Sequence, residues 1–409
     1  MTNASKFDAS RQAIGYLHQI RSALLLALQH DESNDILSLE VIDDVSFSHS
    51  KEQPVNAVEV LQYKHTLSKS ASLTDKSVDV WKTMRVWAER IHAKDLDPEL
   101  SVFTLVTTAT ASSKSAIALL RNRGRSSEKA RKRIEAAGAE SSNKTVKSAL
   151  VELNKLKVSE RKLLFGNMFL IDDSPDILQS RKQIEHELRY SVDEPAKQLM
   201  GFADRLEGWW FRTAVEHLAD KLNFGIQVNQ VQHQVRDLLD QFKRDNLPDD
   251  LLDVIVPSDQ FHSDDNRTFV LELRRITGNR NVIRLAQDNH YRAFEQRSKW
   301  VRETLLGISE EEAYEDRLLR EWANKVSIAL DGYETLSDLK KIDLGKQIYD
   351  WIQEAAVISP AFFIRQRFLS GYMARGSLHM LVDKNRMTWH PDDVVFLLDK
   401  LLEATDNNA

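Results

Sequence analysis

Two carboxylates, an amide and an amine occur at spacings suited to the hydrolysis of a phosphodiester bond. Glu40 and Asp44 lie an even number of residues apart, so they share one face of an extended strand, and the same holds for Gln62 and Lys64. Carboxylate oxygens hold Mg²⁺ or Mn²⁺, and an amide adds a carbonyl oxygen. An ammonium group orients an attacking water or offsets charge on the phosphoryl oxygens. We therefore predict Asp44 as the main metal ligand, with Gln62 and Glu40 as further ligands. Lys64 is predicted to activate the water.

Two predicted strands must position these side chains. The segment ILSLEVIDDVSF at 36–47 alternates apolar and polar residues, and AVEVLQYKHT at 57–66 is rich in strand-forming residues. The polar stretch Ser48–Asn56, which contains Pro54, is predicted to be the loop between them. A hairpin of this kind brings the polar faces of the two strands side by side.

Asp43 is the open alternative to Asp44 as the main ligand. It interrupts the apolar face of the first predicted strand, and a bulge at the strand end would exchange the directions of these two side chains. Glu59 alternates away from Gln62 on the second strand, which makes it the weaker candidate ligand.

The same residues resemble a known nuclease motif. Asp44, followed by Gln62, Tyr63 and Lys64 on the next strand, is similar to the D…QxK variant of the PD-(D/E)xK nucleases. Four blocks also resemble, in order, the endonuclease domain of the CBASS DNA-degrading effectors: GYLHQ, LEVIDDV, VLQYKHT and LTDKSVDVWKTMRVW. That domain is the nuclease module of the Lamassu anti-phage systems, which belong to the ABC three-component group. The family's GY-x-x-Q element implies that Gln19 lies beside the active hairpin as a supporting residue.

Blocks near the C-terminus extend the resemblance. RGSLHML and TWHPDD look like the C-terminal domain of ABC three-component proteins, which implies docking to an SMC-like ATPase and a small middle subunit. The resemblance further implies a nuclease that is silent in the complex and, once released, forms homo-oligomers and cuts double-stranded DNA. One departure is Gln62, because an amide in place of the acid of (D/E)xK removes a negative charge and weakens metal affinity.

Length, charge and composition limit the class of protein. A chain of 409 residues is long enough for two or three domains with sizeable cores. The net charge of −6 argues against a generally basic DNA-coating protein, so contact with nucleic acid must be local. No cysteine is present, which excludes disulfides, thiolate zinc sites and cysteine nucleophiles. Without a secretory signal or an apolar run of about 18 residues, we expect a cytoplasmic protein that does not enter a membrane.

Further elements around the hairpin complete a predicted α/β module. A period of 3.6 residues predicts helices, whereas short runs of β-branched residues predict buried strands. The helices are expected at about 10–29 and 75–91, with Trp87 in the core, and the strands at 101–107 and 167–171.

A basic segment, RNRGRSSEKARKR at 121–133, carries seven basic residues against one acid. Its functional interpretation is a segment that grips phosphates beside the cleavage site, where neutralised phosphates release counterions. The alternative is a solvated loop. The basic residues are Arg121, Arg123, Arg125, Lys129, Arg131, Lys132 and Arg133.

Past Gly201 the sequence changes to long helical patterns with little strand propensity. This change predicts an α/β domain over 1–200 followed by an α-helical domain over 201–409. The resemblance implies that the α/β domain is restriction-endonuclease-like. No phosphate-binding loop of the form GxxxxGK[ST] is present, so the chain is not expected to hydrolyse ATP itself. Further helices are expected at 279–305, 310–330, 345–357 and 392–404.

Together these features predict a metal-dependent DNA endonuclease that acts within an anti-phage complex. Two alternatives stay open. The first is a nuclease-like fold that has lost catalysis and only bridges DNA to partner proteins. The second is an RNase, which the motif alone does not exclude.

Overall fold

The chain divides into two compact units. Unit 1 comprises Met1–Asp193 and Phe202–Asp237, and unit 2 comprises Glu194–Gly201 and Leu238–Ala409. The structure is a computed structural model that describes residues 10–41, 43–49, 57–64, 72–190, 196–219, 225–257, 261, 265–394 and 397.

Unit 1 is built on a mixed β-sheet. Its described part contains the strands β1 (Ile36–Leu39), β2 (Val45–Ser48), β3 (Ala57–Lys64), β4 (Ser72–Leu73), β5 (Val102–Thr107), β6 (Thr110–Ala111), β7 (Met168–Ile171) and β8 (Ile226–Gln227). Six of these strands form one sheet in the order β7-β5-β3-β2-β1-β8, and β4 pairs with β6. The pairs β1–β2, β2–β3 and β1–β8 are antiparallel, whereas β5 runs parallel to β3 and to β7.

Helices surround this sheet. Those that lie wholly or partly in unit 1 are α1 (Ser10–Gln29), α2 (Val78–His92), α3 (Ser127–Ala139), α4 (Lys144–Lys155), α5 (Val158–Gly166), α6 (Ile177–Glu187), α7 (Ala196–Ala219) and α8 (Val228–Gln241). The predicted helix over 10–29 is confirmed. Helix α2 begins three residues later than predicted, because Ser77 occupies the N-cap position. At the start of α6, the Asp176 side chain accepts the backbone N–H groups of Leu178 and Gln179.

The polar segment between β1 and β2 is a turn. The prediction of one continuous strand over 36–47 is therefore wrong: Leu39 pairs with Val45, and the chain reverses between them. Glu40 adopts a positive φ of 55°, and its backbone N–H donates to the Asp44 carbonyl at 3.3 Å, which closes the turn. Residues 50–56 of the predicted hairpin loop lie outside the described residues.

The division into units differs from the predicted boundary at residue 200, because residues beyond it pack against α1 and β1. The indole N–H of Trp210 donates to the Ile20 carbonyl at 2.7 Å, and Arg21 forms a 2.6 Å salt bridge with Glu207. Strand β8 also pairs with β1 at the edge of the sheet. A strand of two residues has too weak a sequence pattern to be recognised before the sheet forms.

Unit 2 is helical in its described part. Its main helices are α9 (Thr268–Ile276), α10 (Arg280–Arg302), α11 (Ile308–Ala329), α12 (Asp338–Ile358) and α13 (Gly371–Asp383). The helices predicted at 279–305, 310–330 and 345–357 are confirmed by α10, α11 and α12, although α12 begins earlier. Most of the helix predicted at 392–404 lies outside the described residues. Across the part of the chain that the structure describes, no helix has the length and apolarity needed to cross a bilayer.

A buried ionic cluster stands inside unit 2. Arg297 is 1% exposed and binds Glu315 at 2.6 Å and Glu311 at 2.6 Å. Glu315 also accepts hydrogen bonds from Lys384 at 2.7 Å and from Arg386 at 3.1 Å. Because a charge buried without partners would be very costly, this cluster ties α10, α11 and the end of α13 to one arrangement.

Candidate active site

Strand pairing places Asp44 beside Gln62. Val45 pairs with Leu61, so the next step of the antiparallel register sets Asp44 opposite Gln62. Asp44 Oδ2 accepts the backbone N–H of Tyr63 at 2.7 Å, which holds the turn against β3. Both side chains are largely buried, with 8% of Asp44 and 6% of Gln62 exposed. Asp44 and Gln62 were predicted to lie on two strands. In the structure Asp44 lies in the turn before β2, and Gln62 lies on β3.

Glu40 and Lys64 lie within electrostatic range of this pair. Burial raises the pKa of Glu40 above its ordinary value, and the negative charge of Asp44 raises it further. The positive charge of Lys64 lowers the same pKa. Lys64 is half-buried at the end of β3 and forms no salt bridge within 4.0 Å of a carboxylate that the structure describes. The site therefore combines several neighbouring carboxyl groups with one amine.

Asp43 is turned toward helix α2. Its Oδ2 accepts the indole N–H of Trp87, and its Oδ1 accepts the backbone N–H of Asp44 at 3.0 Å. Burial raises the pKa of Asp43 to about 7; the charge of Asp44 adds to this rise, and the hydrogen bond from Trp87 opposes it. Both oxygens of Asp43 are thus engaged, whereas Asp44 keeps Oδ1 without a protein partner in the described structure. Of the two acids, Asp44 is therefore the one with an oxygen available to a ligand.

The role of Trp87 was not apparent in the sequence. It is fully buried in the core of unit 1, as predicted, but its indole N–H also anchors the acidic turn to α2. The helical periodicity places Trp87 on the inward face of α2 and carries no signal for a polar contact 44 residues away in the chain.

The donor set consists of oxygen atoms. Among the residues that the structure describes, no three His, Cys, Asp or Glu side chains stand close enough together to hold one metal ion. Glu40, Asp43 and Asp44 therefore do not form a centre of three carboxylates. Asp44 with the amide oxygen of Gln62 provides two adjacent oxygen donors, which suit a hard cation such as Mg²⁺.

Gln19 lies on α1, which packs against β3 on the face opposite Gln62 and Lys64. The ring of His18 packs edge-on against Tyr63, with ring centroids 6.0 Å apart. Alternation along β3 turns Tyr63 away from the face that carries Gln62 and Lys64. Gln19 itself is half-buried and makes no side-chain hydrogen bond within the described ranges, so its supporting role stays a prediction.

Two arginines of the basic segment hold the fold together. The guanidinium of Arg121 donates to both oxygens of Asp172, at 2.9 Å to Oδ1. Arg125 donates to the carbonyls of Gly166 at 2.6 Å and Met168 at 2.9 Å, and it lies 4.2 Å from the ring centroid of Phe169. Arg125 thereby satisfies backbone acceptors where α5 meets β7.

The rest of the segment belongs mainly to helix α3, so the alternative of a solvated loop is wrong for its second half. Arg131 forms salt bridges of 2.8 Å with Glu128 and with Glu135. Lys132 lies 3.6 Å from Glu128, and Arg133 donates to the Lys114 carbonyl at 2.7 Å.

Arg123 and Lys129 are exposed and form no ion pair with any residue in the described ranges. They are the basic side chains of the segment that are most available to a phosphate backbone. Contact of Arg121, Arg123, Arg125, Arg131, Lys132 and Arg133 with DNA stays a prediction.

Comparison with known proteins characterises unit 2. Residues 269–397 match the family model described as C-terminal domain 7 of the ABC-three component (ABC-3C) systems. The match lies wholly within unit 2, so this part of the chain is similar to a C-terminal domain of ABC-3C systems. No curated protein matches the chain.

Solved structures that match the chain include two receptors. The Cap4 SAVED/CARF-domain containing receptor of Moraxella osloensis is 17% identical, with 60% of this chain and 56% of that chain covered and a TM-score of 0.34. The Cap4 SAVED/CARF-domain containing receptor of Acinetobacter baumannii, bound to the cyclic trinucleotide 3'3'3'-cAAA, is 14% identical, with 58% and 46% covered and a TM-score of 0.32. The chain spans about half the length of these structures. The elements of the described structure confirm an α/β unit and a helical unit, whereas the restriction-endonuclease-like class of unit 1 stays a prediction.

Proposed function

We propose that the chain is the metal-dependent DNA endonuclease subunit of an ABC-3C anti-phage system, with a restriction-endonuclease-like unit 1. The observation that carries the proposal is the register of β2 and β3, which sets Asp44 opposite Gln62, with Lys64 two residues further along the same face. The carboxylates of this turn would repel the phosphates of DNA unless a cation lay between them. Such a turn, with the Lys64 amine nearby, therefore suits metal-dependent cleavage of a phosphodiester better than simple binding of DNA.

Asp44 and Gln62 would hold Mg²⁺ or Mn²⁺ through their oxygens, and Glu40 would add a third oxygen donor from the turn. Such a metal would supply Lewis-acid chemistry, by polarising a phosphoryl oxygen and making a water more acidic. Lys64, at the end of β3, would orient the attacking water and offset the charge that builds on the phosphoryl oxygens.

The neighbouring contacts position these groups. The backbone N–H of Tyr63 donates to one oxygen of Asp44 at 2.7 Å, and the other oxygen would hold the metal. The contact between Asp43 and Trp87 keeps the turn against α2, so that Asp43 acts as a positioning residue. Arg123 and Lys129 are the exposed cations that would first meet the phosphate backbone of double-stranded DNA.

The family match of residues 269–397 leads us to expect partner subunits. ABC-3C systems have several components, so partner subunits are expected, and unit 2 is the place where the family match lies. We infer that unit 2 docks an SMC-like ATPase and a small middle subunit, and that these partners restrain the nuclease until it is released to form homo-oligomers. Some restraint is physically necessary, because a free nuclease of broad specificity would destroy the DNA of its host.

A cleavage assay tests the proposal. Purified full-length protein is incubated with supercoiled plasmid, linear duplex and RNA, in Mg²⁺ or in chelator. Duplex cleavage is expected only in Mg²⁺, and Lys64→Ala is expected to slow it by about 10²–10³-fold, because an ammonium that stabilises developing charge is lost. The matched control is Lys147→Ala, which removes an exposed lysine from α4 and is expected to cut at the wild-type rate.

The outcomes separate the alternatives. Duplex cleavage that survives Lys64→Ala would rule out the assigned site. Binding of DNA without cleavage under any condition would favour the non-catalytic adaptor. Cleavage of RNA in Mg²⁺ without cleavage of DNA would identify an RNase.

A further inference from the structure

A groove rich in arginine lies in unit 2, at the corner between α9 and α10. Its volume is about 720 Å³, which falls in the range of specific binding sites. The described residues that line it combine cationic, apolar and small side chains and include no Asp or Glu: Phe261, Arg274, Thr277, Gly278, Arg280, Ile283, Arg284 and Gln287.

Three arginines of the groove have exposed side chains: Arg274, Arg280 and Arg284. Arg280 and Arg284 form no ion pair with any residue that the structure describes, although Arg284 lies 5.1 Å from the ring centroid of Phe261. The described lining thus concentrates positive charge, with no carboxylate among its residues, in a chain whose net charge is −6.

The corner between α9 and α10 is a short link with a capped helix start. Helix α9 ends at the buried Ile276, and α10 begins at Arg280 after a link of three residues. The side chain of Asn279 caps α10 by accepting the backbone N–H of Asn281 at 3.0 Å. Arg280 and Arg284 are one helical turn apart and so share one side of α10. The positive end of the helix dipole adds to their charge.

We propose that this groove binds an acidic segment of a partner protein that also carries apolar side chains. Guanidinium groups bind carboxylates through paired hydrogen bonds, and Arg and aromatic residues are enriched in the cores of protein interfaces. Phe261 and Ile283 provide apolar surface, for which a sugar-phosphate backbone has no counterpart. The groove lies mostly within residues 269–397, the domain of a family of systems with several components, which favours a protein ligand.

The test uses the full chain and short fluorescein-labelled peptides, with binding measured by fluorescence anisotropy. One peptide alternates Glu and Leu, and its control carries Gln in place of Glu. The Glu peptide is expected to bind wild-type protein, and the double variant Arg280→Glu/Arg284→Glu is expected to weaken this binding by about tenfold or more, because two attractions become repulsions. The matched control is Arg302→Glu/Arg320→Glu, which reverses two exposed arginines of the same unit and is expected to bind as wild type.

Three results would overturn the inference. The first is that the groove variant and its control weaken binding of the Glu peptide equally. The second is that the Glu and Gln peptides bind wild-type protein equally well. The third is that a single-stranded oligonucleotide of the same charge binds more tightly than the Glu peptide and loses this binding in the groove variant. Melting temperatures verify that each variant is folded. The inference concerns unit 2 and does not rest on catalysis in unit 1, so plasmid cleavage by the purified groove variant is expected to equal that of wild type.

Discussion

At the scale of single residues, neighbouring acids in one turn have different environments. Asp44 is held by a backbone N–H of β3, whereas Asp43 is buried against Trp87 with a pKa raised to about 7. Two adjacent carboxylates would repel each other if both were ionised in a buried turn. The structure reduces this cost because burial raises the pKa of Asp43 to about 7, so that Asp43 is partly protonated near neutral pH.

The pKa of Asp43 predicts a pH dependence of stability in the presence of chelator. Its folded-state pKa of about 7 lies above its ordinary value of 3.8, so the folded protein binds more protons than the unfolded chain between these values. The free energy of unfolding should therefore fall as the pH rises from about 4 to about 7, by at most about 1.4 kcal/mol per pH unit. Asp43→Asn imitates the protonated acid and is expected to flatten this dependence in urea titrations. An unchanged slope in the variant would contradict the raised pKa.

The proposed role of Gln62 as a metal ligand predicts how the affinity for Mn²⁺ can be changed. Replacing its amide by a carboxylate in Gln62→Glu adds a negative charge beside Asp44 and is expected to tighten Mn²⁺ binding by about tenfold, which corresponds to about 1.4 kcal/mol. Isothermal titration calorimetry measures this affinity, with Gln198→Glu on α7 as a control of the same chemistry outside the site. Equal affinity of Gln62→Glu and wild type would show that Gln62 does not lie at the metal.

At the scale of elements, a close crossing of two helices holds unit 2 together. A Cβ atom at position 376 of α13 would overlap the carbonyl oxygen of Asn289 on α10 and would lie 2.5 Å from Ala293 Cβ. Only glycine therefore allows these two backbones to approach so closely. The crossing also brings Ser377 of α13 within 3.3 Å of the buried Arg297.

Gly376→Ala is accordingly expected to destabilise the protein. Forcing a methyl group into this crossing should cost about 1–3 kcal/mol of the free energy of unfolding, because the helices must move apart. The matched control is Gly208→Ala on α7, where a Cβ meets nothing within 4 Å; it should stabilise by about 0.5–1 kcal/mol. Urea unfolding measures both effects. Tolerance of Gly376→Ala without loss of stability would contradict the close approach of α10 and α13.

At the scale of the whole molecule, each unit carries its own apolar core. The core of unit 1 is centred on Trp81 and Trp87 beneath the sheet, and that of unit 2 on Trp300, Trp322 and Trp389 among helices. Separate cores allow the proposed catalytic site to lie in one unit and the proposed partner contacts in the other.

A proposed site in unit 1 and proposed partner contacts in unit 2 give a prediction for the complex with the partner subunits. If partners restrain the nuclease through unit 2, the complex should cut plasmid about tenfold or more slowly than the isolated chain at the same concentration of this subunit. Rates of plasmid linearisation, followed with and without the partner subunits, measure the restraint. Equal rates would refute it. The Lys64→Ala chain, assayed in parallel, shows the background of each preparation.

The sequence by itself was sufficient for the long periodic elements. Helices α1, α10 and α11 lie where the period of apolar residues predicts them, because each buries one face over many residues. Strand β5 lies where a short run of β-branched residues predicts a buried strand. The types of residue at Asp44, Gln62 and Lys64 also indicated a candidate site, because they are close enough along the chain for neighbouring strands to bring them together.

Only the tertiary structure decided how the acids are arranged. The turn at Glu40 depends on one positive φ, and the roles of Asp43 and Asp44 depend on partners 44 and 19 residues away. Likewise, Arg121 and Arg125 look like phosphate contacts in the sequence, yet Asp172 and the carbonyls at the end of α5 hold them. A charge pattern along the chain gives the number of cations, whereas the fold determines which of them already have a partner.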